Sequence, residues 1–155
     1  MRNRTQKVVI NGHSSAPALV TSGVPQGTVT GPLWFLLYIN DLPSNIISKS
    51  RMFADDCILY TPVSVEHNIS ILQRDLQSLE LWQDTLMMNF NPNKCYTMTI
   101  GKRNPPKHPY KFCGRELDCV TSHPYLGVHI PNTLSWNTHI QEVVSKAQRN
   151  LNVVQ

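Results

Sequence analysis

The chain has 155 residues and a mass of 17.6 kDa, the size of one ordinary domain. It carries 14 Lys and Arg against 10 Asp and Glu, a net charge of +4, and its 41% hydrophobic and 15% charged content excludes a disordered tail while permitting an acidic partner. The longest apolar run, Leu33 to Ile39, is far too short to span a bilayer, and Val8 to Ile10 is too short for a signal peptide, so the expectation is an intracellular protein, nuclear or cytoplasmic and not secreted.

In chain order, Gln6 to Ile10 reads as a short strand, Asn11-Gly12-His13 as a turn, and Pro17 to Val20 as a segment pairing back. Thr21 to Thr30 is rich in Gly, Pro, Ser and Thr and reads as a loop. Thr30 as cap and Pro32 in a first turn open a largely buried helix from Leu33 to Leu42, closed by Pro43. Met52-Phe53-Ala54 and Cys57-Ile58-Leu59-Tyr60 read as two strands joined by a tight Asp55-Asp56 turn. From Val65 to Met88, capped by Ser64, Ile69, Leu72, Leu76, Leu79, Trp82 and Leu86 recur at helical spacing. Asn89 to Asn93 ends that helix, and Cys95 to Ile100 alternates as a strand. Arg103 to Pro109 is a basic, Pro-rich surface loop. Tyr110 to Phe112 and Leu117 to Val120 flank Gly114-Arg115 as a hairpin, Tyr125 to Ile130 is a further strand, and Ser135 to Val154 is a final amphipathic helix with Ile140, Val143, Ala147, Leu151 and Val154 on one side. The layout is α+β, with helices packed on an antiparallel sheet.

Four cysteines, at 57, 95, 113 and 119, form no Cys-x-x-Cys pair and read as thiols of a reduced chain. Cys113, Cys119 and His123 fit no zinc-finger spacing. The feature with most chemistry in it is Asp55-Asp56. Two adjacent carboxylates held at a strand turn and expected to be partly shielded from water by Phe53 and Ile58 repel one another, and a divalent cation relieves that repulsion. Hard oxygen donors suit Mg²⁺, which keeps waters and substrate phosphates as its remaining ligands. On the other side stands the ordinary solvated Asp-Asp turn. The second feature is Ser22-Gly23-Val24-Pro25-Gln26-Gly27-Thr28, a Gly-bearing loop before a helix N-terminus. Such a loop favours phosphate, yet it matches neither the Walker loop nor the dinucleotide fingerprint.

The two features together carry more. The run SGVPQGTVTGPLWFLLYINDLP, residues 22–43, followed by MFADDCILY, residues 52–60, resembles the reverse transcriptase domain of non-LTR (LINE-type) retrotransposons. MNFNPNKC (88–95), YLGVHI (125–130) and LSWNTHIQEVVSKA (134–147) resemble later blocks of that family in the same order. The resemblance implies a polymerase palm over residues 22–130, lead-in strands over 1–21 and the start of a helical thumb over 131–155. It implies template-directed nucleotidyl transfer to a primer 3′ hydroxyl, with an RNA template, a DNA primer and dNTPs as partners, Mg²⁺ (or Mn²⁺) as cofactor, and no membrane. Residue by residue, Asp55 matches the family's metal-ligating aspartate and Asp56 the one that supports it. Gly23, Pro25, Gln26 and Gly27 match the loop against the incoming nucleotide and template. Lys94 matches a lysine acting on the pyrophosphate, and Tyr125, Leu126 and Gly127 match the hairpin at the primer terminus.

One block of the family has no counterpart. The family carries a further metal-binding aspartate on a first palm strand upstream of the Gly23-Gly27 loop, preceded by the fingers, and residues 1–21 contain no Asp or Glu. The expectation is the C-terminal part of the domain, inactive as an isolated chain and dependent on the upstream part of the same domain. The alternative is a non-catalytic remnant that binds nucleic acid or protein, for which Arg103, Lys107 and Lys111 would serve.

Overall fold

The computed structural model describes residues 3–21, 23, 27–63, 66–101 and 108–154. Four short strands lead in: β1 (Arg4–Gln6), β2 (Val9–Ile10), β3 (His13–Ser14) and β4 (Ala18–Val20). β1 pairs antiparallel with β4, Arg4 opposite Val20, and β2 with β3, so the pairing expected of residues 6–20 is present as two nested ladders.

Helix α1 (Gly31–Ile39) follows, then a 3-10 turn over Leu42–Asn45. Pro32 sits in the first turn as expected, but Thr30 makes no side-chain cap bond. The Thr28 hydroxyl does that work, accepting from the Gly31 N–H at 3.1 Å. The helix ends before Leu42 because Pro43 disfavours a helical residue ahead of it, and Leu42 and Pro43 pass into the tighter turn. The expectation of a largely buried helix is corrected: Gly31 and Ile39 are buried, while Leu33, Trp34, Leu36, Leu37 and Tyr38 are exposed.

β5 (Lys49–Phe53) and β6 (Asp56–Tyr60) form the longest ladder, with Phe53 opposite Asp56 and Lys49 opposite Tyr60. Helix α2 (Glu66–Leu86) is the centre of the molecule. Leu79 and Trp82 are buried, and Ile69, Leu72, Leu76 and Leu86 pack partly buried against the same cluster, which is the helical periodicity read from the sequence. The expected cap at Ser64 lies outside the described residues. Past Leu86 the chain turns at Met87 (φ 53°), and the Gln83 side chain accepts from the Phe90 N–H at 2.7 Å. This returns Phe90 to Trp82 and Phe112, at ring distances of 5.9 and 5.3 Å. A second 3-10 turn, Pro92–Lys94, is capped by the Asn91 side chain, which accepts from the Asn93 N–H at 3.1 Å.

The remaining strands are β7 (Tyr96–Thr97), β8 (Lys111–Phe112), β9 (Arg115–Glu116), β10 (Asp118–Cys119), β11 (Ser122–Tyr125) and β12 (Val128–Pro131), before helix α3 (Asn137–Val154). Three expectations change here. Cys95 to Ile100 narrows to β7. The hairpin closes as β8–β9 around Cys113-Gly114, and the Leu117 to Val120 segment leaves it so that β10 pairs parallel with β7. Tyr125 to Ile130 is two strands, because Leu126 (φ 48°) and Gly127 (φ 80°) form a left-handed two-residue turn between Tyr125 and Val128. Among the described residues there is no single antiparallel sheet; six two-stranded ladders form, five antiparallel and one parallel. Four of the six are closed by loops of two residues.

The buried core is Ile39, Leu42, Leu79, Trp82, Tyr110, Phe112 and Leu117, so α1, the first 3-10 turn, α2 and β8 meet in one cluster. Polar side chains of α2 fix β8 to it. The Gln73 amide both accepts from the Lys111 N–H and donates to the Lys111 carbonyl at 2.8 Å, and Glu80 accepts from the Cys113 N–H. α3 docks on β12: His129 Nε2 meets Glu142 Oε2 at 2.9 Å, and the His129 N–H donates to His139 Nδ1 at 3.4 Å. Its expected apolar side is exposed at Ile140, Val143 and Leu151.

Candidate metal and nucleotide site

The β5–β6 register decides what the hairpin offers to solvent. Side chains alternate across a ladder, so Met52, Cys57 and Leu59 share the face that packs on the core. Lys49, Arg51, Phe53, Asp56, Ile58 and Tyr60 share the other, where the Arg51 guanidinium lies 5.9 Å from the Tyr60 ring centre. A slip of one residue would carry Asp56 inward and Met52 outward, and the apolar contacts of Met52, Cys57 and Leu59 resist it.

Asp55 and Asp56 stand at the tip, both exposed, with Asp55 in the two-residue loop and Asp56 the first residue of β6. Ala54, the other loop residue, has φ 51°, left-handed in a residue with a Cβ. Positive φ at the first loop position, with none at the second, is the pattern of a II′ turn, which ordinarily takes Gly there. The shielding expected from Phe53 is not found, since that ring is 62% exposed. The tip therefore presents two solvated hard-oxygen donors side by side, the donor type that suits Mg²⁺ or Mn²⁺. Among the described residues no third Asp, Glu, His or Cys joins them to complete a metal-holding group.

The other expected site residues lie on separate elements. Lys94 is exposed at the end of its 3-10 turn. Gly23 and Gly27 are exposed and left-handed (φ 78° and 80°), and the Arg4 guanidinium donates to the Gly23 carbonyl. Pro25 and Gln26 lie outside the described residues, as do Arg103 and Lys107; Lys111 is exposed on β8. Tyr125 is half-buried, with Leu126 and Gly127 exposed at the β11–β12 turn. Among the described residues, no hydrogen bond or ion pair links Asp55 or Asp56 to Lys94, to the glycine loop or to the Leu126-Gly127 turn. Two surface grooves lie elsewhere, about 450 Å³ along α3 at Thr138 to Arg149 and about 390 Å³ between His108 and Cys119.

One polar residue escaped the sequence reading. Asp75 on α2 is 1% exposed and accepts from the Ile47 N–H at 3.1 Å and the Ser48 N–H at 2.7 Å, immediately ahead of β5. Its signal was available: Leu72, Asp75, Leu79 and Trp82 follow a three-four-three spacing, so the carboxylate occupies a core position of an amphipathic helix.

The chain belongs to the reverse transcriptase family: the profile described as "Reverse transcriptase (RNA-dependent DNA polymerase)" matches residues 2–130. The resemblance read from the motif blocks is borne out.

Among similar proteins, the RNA-directed DNA polymerase from mobile element jockey of Drosophila melanogaster is 25% identical over 152 residues, covering 92% of this chain and 17% of the relative. The probable RNA-directed DNA polymerase from transposon BS of the same fly is 26% identical over 164 residues, 97% of this chain and 18% of the relative. That from transposon X-element is 30% identical over 135 residues, 80% of this chain and 14% of the relative. The chain thus spans less than a fifth of the length of these relatives. No solved structure matches it significantly. No helix among the described residues is long and apolar enough to cross a membrane.

Proposed function

We propose that this chain is the palm and the beginning of the thumb of an RNA-directed DNA polymerase, with Asp55 and Asp56 as one wall of its metal centre. The observation that carries the reading is the pair of exposed carboxylates at the tip of β5–β6 in a chain of the reverse transcriptase family. Asp55, in the loop, is the ligand that would hold Mg²⁺ or Mn²⁺, and Asp56 supports it. The bound ion would supply positive charge for the phosphoryl oxygens and the primer 3′ hydroxyl. Gly23, Pro25, Gln26 and Gly27 would lie against the incoming nucleotide and template. Lys94 would place a cation beside the pyrophosphate, and the Tyr125-Leu126-Gly127 turn would contact the primer end. The partners are an RNA template, a DNA primer and dNTPs.

Two carboxylates are half of a two-metal cage. Residues 1–21 hold no Asp or Glu, so the opposing carboxylate would come from polymerase chain outside these 155 residues. The 155-residue chain therefore binds the ion weakly and extends no primer. Losing one metal-site carboxylate removes several kcal/mol of transition-state stabilisation, on the order of a thousandfold or more in rate.

Calorimetric titration with Mn²⁺ tests the reading. Weak binding is expected in the wild type and most of it is lost in Asp55→Asn; equal affinity in the two removes Asp55 as a ligand. In a primer-extension assay with template, Mg²⁺ and dNTPs no product is expected, and extension abolished by Asp55→Asn would show that the chain suffices without the opposing carboxylate.

A further inference from the structure

We infer that Asn68, Asp75 and Trp82 are positioning residues, a polar rail along one face of α2 that sets the tilt of the β5–β6 hairpin and so the place of Asp55 and Asp56. The three lie seven residues apart and share a face, drifting only about 20° per seven residues in a straight helix. Each grips the segment that enters or leaves the hairpin. The Trp82 indole N–H donates to Asp41 Oδ1 at 3.2 Å, Asp75 accepts from the Ile47 and Ser48 N–H groups, and the Asn68 amide donates to the Pro62 carbonyl at 2.7 Å. Reading α2 from Asn68 to Trp82, the partners run backward from Pro62 through Ser48 to Asp41. The hairpin strands are therefore bolted at both feet, Ser48 just before β5 and Pro62 just after β6.

Asp75 is the middle bolt and the one with most at stake. A carboxylate 1% exposed is held there by two backbone donors, and removing them would leave it buried without partners. Among the described residues no other side-chain hydrogen bond joins Ile46 to Ser48 to α2. The Ser48 hydroxyl beside it is also buried and has no hydrogen-bond partner, so the foot of β5 has no alternative polar seat.

The geometry gives the rail leverage. From Ser48 to Phe53 is five residues, roughly 17 Å of extended strand, so a tilt of about 10° at the foot displaces the tip by about 3 Å. A carboxylate outside the hairpin that shared the ion, at metal–oxygen distances near 2.1 Å, would not tolerate that. The Asn68, Asp75, Trp82 face is distinct from Gln73 and Glu80, which hold β8 and the Cys113 turn. Loosening one side leaves the other in place.

The functional consequence rests on the reading of Asp55 and Asp56 as metal ligands, so the test has two independent readouts on the 155-residue chain. Amide residual dipolar couplings report the orientation of β5–β6 relative to α2 without any metal. In Asp75→Asn, and in Asn68→Ala at the milder end of the rail, the β5–β6 couplings are expected to depart from the common frame while α2 with β8–β9 keeps it. Mn²⁺ binding by electron paramagnetic resonance, compared between the wild type and Asp55→Asn, tests the metal reading separately; because both donors ride on the hairpin, the folded Asp75→Asn chain is expected to keep the wild-type affinity. Couplings that fit one rigid frame in both variants, as in the wild type, overturn the inference. Couplings that depart while wild-type Mn²⁺ binding is absent or indifferent to Asp55→Asn support the rail and overturn the metal reading. If Asp75→Asn does not fold, Asn68→Ala alone decides by the same couplings.

Discussion

Ala54 is the residue at which the backbone of the hairpin is under load. A Cβ at φ 51° crowds the neighbouring carbonyl, and Gly carries no such penalty. Ala54→Gly is expected to stabilise the chain by about 0.5–1 kcal/mol, read from the urea midpoint at unchanged slope. The cysteines make a second prediction. Burial pushes the Cys57 thiol up, reinforced by Cys95 nearby, and burial raises Cys95 as well. For Cys113 burial comes first, then the negative charge of Glu80. A raised thiol is less ionised at a given pH, and the thiolate is the nucleophile. With a thiol-exchange reagent near pH 8, exposed Cys119 is expected to react first. The other three lag, speed up as pH climbs past the ordinary thiol range, and lose their lag in denaturant. At this scale the turn position of Asp55 and Asp56 was legible, because the apolar runs 52–54 and 57–60 leave a tight turn between them. Asp75 was hidden, because a buried carboxylate takes its meaning from backbone donors contributed by a segment 27 residues away.

At the scale of elements, α2 was legible from end to end within two residues, since a long helix with one apolar stripe writes its period into the chain. The Asn11-Gly12 turn was legible for a related reason: Asn and Gly both accept the left-handed backbone such a loop needs. Leu126-Gly127 was not, because Leu rarely adopts that conformation and the flanking residues read as one strand. The parallel β7–β10 pair was out of reach, since nothing local to residues 118–119 specifies a partner at 96–97. Leu79, buried against the α1, 3-10 and β8 residues of the core, is the position that ties these elements together. Leu79→Ala is expected to destabilise by about 2–4 kcal/mol through lost burial and the cavity left behind, measured by chemical denaturation.

For the whole molecule, the accessible surface of 12280 Å² is far above the about 7,900 Å² expected of a folded monomer of this mass. Apolar side chains lie open on it, among them Leu33, Trp34, Leu36, Leu37 and Tyr38 on α1 and Ile140, Val143 and Leu151 on α3. Charge acts over the same surface. A net charge of +4 with exposed Lys94 and Lys111 predicts weak binding to a primer–template duplex that falls steeply as salt rises, because each phosphate contact releases counterions. Fluorescence anisotropy across a salt series checks this, and a binding constant indifferent to salt would count against nucleic acid as the partner.

The two-stranded ladders differ in how their outer margins end. Next to a two-residue loop the flanking residues are hydrogen-bonded to each other, and outward-facing N–H groups then fall on alternate pairs. In β11–β12 those pairs are Pro124 with His129 and Ser122 with Pro131. Both prolines stand where an N–H would point outward, and the His129 N–H is taken by His139. That hairpin is blunted against foreign strands. In β5–β6 the outward pairs are Met52 with Cys57 and Ser50 with Leu59, with no proline, and among the described residues none of their N–H groups is bonded outside the hairpin. The margins of residues 49–60 therefore keep their backbone donors open, and a strand added there would extend the hairpin that carries the two aspartates.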